Sequence, residues 1–111
     1  MTDKRLVLTT CASQEEGRQI AHTLIERRLA ACVNIVSHIE SVYQWEGKIE
    51  TATEWLLIIK TTAGVVGSLR DVVYELHSYK VPEFLVLAVE DGSAEYLDWI
   101  GDSVGGPTES A

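Results

Sequence analysis

Apolar positions change their period within residues 29–61. Upstream, Ile20, Ala21, Leu24 and Ile25 recur at helical spacing. Downstream, Val33, Ile35, Ile39, Tyr43 and Trp45 take odd positions, and Asn34, His38, Glu40 and Gln44 take even ones; Val36 and Val42 break the alternation. Ile49, Trp55, Leu57 and Ile59 keep a single parity. Glu46-Gly47 sits between the two runs, where a tight hairpin needs residues that tolerate positive φ. The pattern predicts a hairpin of roughly 15 residues a side, against a usual strand of about 5–6. A small domain has no other element long enough to pair with it. The excess must pair with another chain, be covered, or aggregate.

The flanking elements follow from caps and breakers. Residues 5–11 predict a first strand. Ser13 with Glu16 is a capping-box signature opening a helix that runs to about Arg28, with Ile20, Ala21, Leu24 and Ile25 on its apolar face. Thr61 or Thr62 can cap a second helix carrying Val65, Val66, Leu69, Val72, Val73 and Leu76. Lys80-Val81-Pro82 breaks the chain. Residues 84–89 are a continuous apolar run, which predicts a fourth strand buried on both faces. Ser93 caps a last short helix with Tyr96, Leu97, Trp99 and Ile100.

The order is β-α-β-β-α-β plus a terminal helix, an α+β chain with the ferredoxin-like, split-βαβ pattern. Right-handed crossovers make strands one and two parallel, with strand three between them and antiparallel to both. Strand four flanks strand one. Both long helices cover one sheet face, so the other face needs a partner. This topology puts Cys11 and His77 at one end of the sheet and Cys32 at the other. A six-residue strand spans roughly 20 Å, which excludes a disulfide between Cys11 and Cys32 within one chain.

Composition narrows the classes. The 111 residues are 46% apolar, enough for one domain over residues 1–104, with a frayed tail over 105–111. The formal charge of −8 argues against nucleic acid, whose phosphates need clustered Lys and Arg. No secretory signal or membrane-length apolar run is visible, and two cysteines then point to free thiols in a reducing cytoplasm. No nucleophile elbow or glycine-rich phosphate loop occurs, so no enzyme activity is expected.

The residues Thr9-Thr10, Leu29-Ala30-Ala31-Cys32-Val33-Asn34, Tyr43-Gln44-Trp45, Gly47-Lys48, Glu54, Lys60-Thr61, His77, Tyr79, Pro82-Glu83 and Tyr96-Leu97-Asp98-Trp99, in order over about nine-tenths of the chain, resemble the CutA family of divalent-cation tolerance proteins. The resemblance implies a ferredoxin-like subunit in a tight homotrimer, related in architecture to PII signalling proteins. It also implies binding of copper or another divalent cation. Two departures stand out. The family commonly has His-Pro-Tyr where this chain has His77-Ser78-Tyr79, and many relatives carry proline where Ala12 follows Cys11. Loss of the first proline is expected to loosen the approach to His77.

On this reading Cys11, Cys32 and His77 are the candidate metal ligands, since thiolate and imidazole suit copper. Each has a plainer alternative: the cysteines as small buried hydrophobes, His77 as a partner of the helix dipole. Tyr43, Glu54, Lys60 and Tyr79 are candidates for a polar cleft between subunits, with an interface salt bridge between Lys60 and Glu54 as the alternative. A small anion near Lys60 would be its ligand. Trp45, Trp55 and Trp99 are expected to pack in the trimer, Trp45 as an anchor at the hairpin tip. His22 and His38 are expected at the surface.

Overall fold

Glu46 (φ 51°) and Gly47 (φ 80°) both take the left-handed backbone that a two-residue type I′ turn requires. They join β2 (Cys32–Trp45) to β3 (Lys48–Thr62), strands of 14 and 15 residues. The computed structural model describes residues 2–105. Around the hairpin lie β1 (Lys4–Cys11), α1 (Gln14–Glu26), α2 (Val66–Leu76), β4 (Leu85–Ala88) and α3 (Ala94–Ser103). The sheet order is β2-β3-β1-β4, with each neighbouring pair antiparallel. This is the order that right-handed crossovers dictate. Of the expected tail, only Gly105 lies within the described residues; its N–H donates to the Arg28 carbonyl at 2.8 Å.

The core is one layer thick. Val7, Leu57 and Ile59 on one sheet face meet Ile20 and Leu24 of α1 and Leu69, Val72 and Val73 of α2. Each such large side chain is worth ~1.5–3 kcal/mol when fully buried. Ile25 departs from the expected apolar face of α1 and stands exposed. A 100° step per residue carries it off the stripe that Ile20, Ala21 and Leu24 define.

Four local expectations are corrected. The alternation of β2 does not persist, because its register with β3 shifts between Val36 and Ile39. Ser37 and His38 together oppose Trp55, a β-bulge with His38 at φ 60°. Past the bulge every side chain changes face. Val33 and Ile35 therefore point to the core, while Ile39, Tyr43 and Trp45 share the opposite face with Glu54. Neither Thr61 nor Thr62 caps α2: Thr61 Oγ1 donates to the Leu29 carbonyl at 2.7 Å, and a 3₁₀ turn over Ala63–Val65 leads into the helix without a side-chain cap. The capping box is half made. Ser13 Oγ accepts from the Glu16 N–H at 3.1 Å, but the Glu16 carboxylate turns outward to Ser78. Lastly, β4 is exposed on both faces: its apolar run lies at the sheet edge, beside β1 alone. Ser93 caps α3 as expected, accepting from the Tyr96 N–H at 3.3 Å.

Candidate metal centre

Cys11 closes β1, Glu16 lies in the first turn of α1, and His77 follows the last turn of α2. The β1–α1 connection is only Ala12-Ser13, so the strand end and the helix start are held together. The chain leaving α2 passes the same point on its way to β4. As a result the Cys11 thiol, a Glu16 oxygen and a His77 ring nitrogen lie within 4.8 Å of one another.

Hydrogen bonds fix the imidazole. His77 Nε2 lies 2.7 Å from the Thr10 carbonyl, which can only accept, so Nε2 carries the proton. Nδ1 accepts the Tyr79 N–H at 3.0 Å and stands 3.2 Å from Glu16 Oε2. Glu16 is held in turn by Ser78, whose N–H donates to Oε2 at 2.7 Å and whose hydroxyl donates to Oε1 at 2.8 Å. This corrects the expectation drawn from the missing proline. Ser78 ties the 77–79 segment to α1 with two bonds, neither of which a proline could donate.

Cys11 is fully buried. Burial first, then the nearby Glu16 and Glu54 carboxylates, push its thiol up to about 12. Without a cation it is a neutral thiol. The donor set still fits a divalent ion: sulfur, imidazole and carboxylate are all ligands of zinc or copper. The Nε2–H bond to a backbone carbonyl is the outer contact that orients a metal-binding histidine. Nδ1 would be the ligand atom, at the loss of its bond from Tyr79.

Of the three metal candidates, the structure brings Cys11 and His77 together and leaves Cys32 apart. Cys32 pairs with Lys60, which in turn pairs with Leu6, five residues from Cys11 along β1. Both cysteines are free. Glu16 is the member that sequence reasoning missed, because its position three residues after Ser13 already had a capping explanation. The surplus signal was its acidity beside a strand-end cysteine.

The cleft candidates divide as well. Tyr43, Glu54 and Tyr79 line one cavity of about 800 Å³; the Tyr79 hydroxyl donates to Glu54 Oε2 at 2.7 Å. Burial and this carboxylate raise the Tyr79 phenol. Lys60 is on the same strand face but six residues, about 20 Å, away, with its Nζ 5.7 Å from the Tyr96 ring centre. Trp45 and Trp99 are exposed, while Trp55 is partly buried with its ring edge to face against His38 at 5.4 Å. His22 and His38 are at the surface. No helix among the described residues is long and apolar enough to cross a membrane.

Residues 5–103 match the model of a family described as CutA1 divalent ion tolerance protein. A divalent-cation tolerance protein CutA of Thermus thermophilus is 44% identical over 102 residues, covering 92% of this chain and 99% of the relative. A solved structure of that organism's divalent cation tolerance protein superposes with a TM-score of 0.90, over 92% of this chain and 99% of that one. A structure from Archaeoglobus fulgidus described as a periplasmic CutA is 43% identical, with a TM-score of 0.88 and coverage of 92% and 99%. A chloroplastic CutA of Arabidopsis thaliana is 44% identical over 98 residues, and this chain spans 54% of its length.

Proposed function

This chain belongs to the CutA1 divalent ion tolerance protein family, and from that premise we propose that it is a homotrimeric cytoplasmic protein binding copper or another divalent cation through Cys11, Glu16 and His77. The observation that carries the metal site is the convergence of three different donor types within 4.8 Å, from three separate elements. A bound cation would supply the positive charge that turns the Cys11 thiol into a thiolate. Each residue has a distinct part. Cys11 offers sulfur, Glu16 offsets the ion's charge, and His77 is aimed by Thr10. Cys32 is assigned no ligand role.

Support for the trimer comes from apolar surface. Val42, Trp45 and Ile49 on the hairpin and Leu85, Val86 and Leu87 on β4 are all exposed, more than a monomer in water ordinarily leaves uncovered. Among the described residues the β2 and β4 edges are also unpaired. A second reading, a trimeric small-ligand sensor, draws on the cavity beside Glu54.

Native mass spectrometry of the reduced protein, titrated with Cu(I), Cu(II) and Zn(II), tests the proposal. The expected species is three times the 12.3 kDa chain with one metal per subunit. Uptake is expected to be lost on Cys11→Ser or His77→Ala and kept on Cys32→Ser. A monomer would overturn the trimer; unchanged uptake in both the Cys11 and His77 variants would overturn the site.

A further inference from the structure

We propose that Ser78 is the positioning residue of the metal centre: it draws the Glu16 carboxylate out of a helix-capping contact and commits it to the space beside Cys11 and His77. The inference rests on the Cys11, Glu16 and His77 reading above and gives a part to a residue that reading leaves without one.

Glu16 has two places to go. It is the third residue of α1, and Ser13 is the N-cap. A glutamate at that position ordinarily reaches back to the N–H of the capping residue, closing a capping box. The positive end of the helix dipole favours the same placement. Ser13 has made its half, accepting the Glu16 N–H at 3.1 Å. The return half is not made, because both carboxylate oxygens accept from Ser78 instead: Oε2 from the N–H at 2.7 Å and Oε1 from the hydroxyl at 2.8 Å.

Ser78 follows His77 directly, so the bonds that take Glu16 away from its own helix end also set it against the imidazole. Oε2 lies 3.2 Å from His77 Nδ1, and a carboxylate oxygen lies within 4.8 Å of the Cys11 thiol. Each oxygen accepts one bond from Ser78, and a carboxylate oxygen has two lone pairs. The carboxylate is therefore held without losing its capacity to ligate. Hydrogen bonds of this kind fix the direction of a ligand in advance. Without them the Ser13 N–H is the nearer partner, and the centre keeps only sulfur and imidazole. A proline, the residue the family commonly has here, offers neither donor. The His77 backbone already suits a following proline, so that substitution releases Glu16 without moving His77.

The test titrates the intact reduced protein with Co(II) and Zn(II) as probes, in the parent and in Ser78→Thr, Ser78→Ala and Ser78→Pro. Uptake is expected to weaken about 10–100-fold in Ser78→Pro and by less in Ser78→Ala, which keeps the N–H. Ser78→Thr, with both donors, should bind as the parent does. The visible absorption of Co(II) in Ser78→Pro should match that in Glu16→Ala, and combining the two changes should alter neither affinity nor spectrum further. In metal-free Ser78→Pro, exchange of the Ser13 amide hydrogen should slow as the capping box closes, and adding Glu16→Ala should abolish the slowing. Parent-like affinity and spectrum in Ser78→Pro would overturn the positioning role and leave the metal reading standing. An equal loss on Ser78→Pro with and without Glu16 would overturn it too, by showing that the effect does not pass through the carboxylate. Unchanged affinity in Glu16→Ala, or no uptake by the parent, would overturn the metal reading and this inference with it.

Discussion

Replacing Ser78 by proline would restore the dipeptide common in the family and remove two hydrogen bonds at once. The Ser78 N–H and hydroxyl both donate to the Glu16 carboxylate, at 2.7 and 2.8 Å. Charge-assisted bonds contribute ~1.5–3 kcal/mol each when shielded. Ser78 is exposed, so solvent screening reduces each to about 1 kcal/mol. Glu16 is the less accessible partner, its side chain 12% exposed, and leaving it short of donors adds to the loss. Proline offsets ~0.4–1 kcal/mol by restricting the unfolded chain, and His77 at φ −81°, ψ 140° already has the backbone a following proline permits. The net expectation is a loss of about 1–2 kcal/mol, or about 5–10 °C in Tm for a domain of this size. Ser78→Ala keeps the N–H bond and should lose about half as much. Calorimetry or circular dichroism, at one protein concentration because assembly shifts apparent stability, measures both. In a Glu16→Ala background the difference between serine and alanine at position 78 should vanish. A proline variant as stable as the parent would refute the clamp.

Three further outcomes follow from the same geometry. In metal-free protein, a disulfide reagent at about pH 8 should find one fast thiol per chain, lost on Cys32→Ser, because the buried Cys11 thiol barely ionises; two fast thiols would contradict its placement. The folded Cys11 pKa of about 12 lies above the reference value of 9.0, so its contribution to stability is complete below 9.0 and is lost as pH rises toward 12. Denaturation midpoints should therefore fall above that lower value, by at most about 1.4 kcal/mol per pH unit from this group, and Cys11→Ser should flatten the decline. His38→Val, which puts a β-branched residue at φ 60°, should cost about 1–2 kcal/mol, whereas His38→Asn should cost less than about half of that; equal chemical denaturation midpoints would show the bulge to be unstrained.

The hairpin was legible because its turn and its alternation are local: Glu46-Gly47 fits one turn type, and strands alternate by two. Strand order was legible because chirality leaves few choices. What escaped depends on distant partners. Glu16 at the third helical position looks the same whether it caps its own helix or meets Ser78, 62 residues away. The run over residues 84–89 reads as buried because apolar strands usually are, yet among the described residues β4 stands at an open sheet edge. Lys60 and Glu54 share a strand face as their spacing required, but a shared face over six residues is not a shared site.

The bulge links these misses to the candidate sites. Had β2 kept the register of Val33 with Ile59 and Ile35 with Leu57, Tyr43 would oppose Ile49 and lie on the face of Trp55 and Leu57. One inserted residue makes Tyr43 oppose Glu50 and Trp45 oppose Lys48 instead, on the face of Glu54. That shift assembles the cavity beside Glu54, and Tyr79 joins it to the candidate metal cluster by giving its hydroxyl to Glu54 and its N–H to His77. A ligand that draws Glu54 away from Tyr79 would therefore loosen the residue that occupies His77 Nδ1. Because coupling is reciprocal, a metal that displaces the Tyr79 N–H from Nδ1 would alter the cavity in turn. The break in alternation at Val36 is thus the point in the sequence on which the relation between the two sites depends.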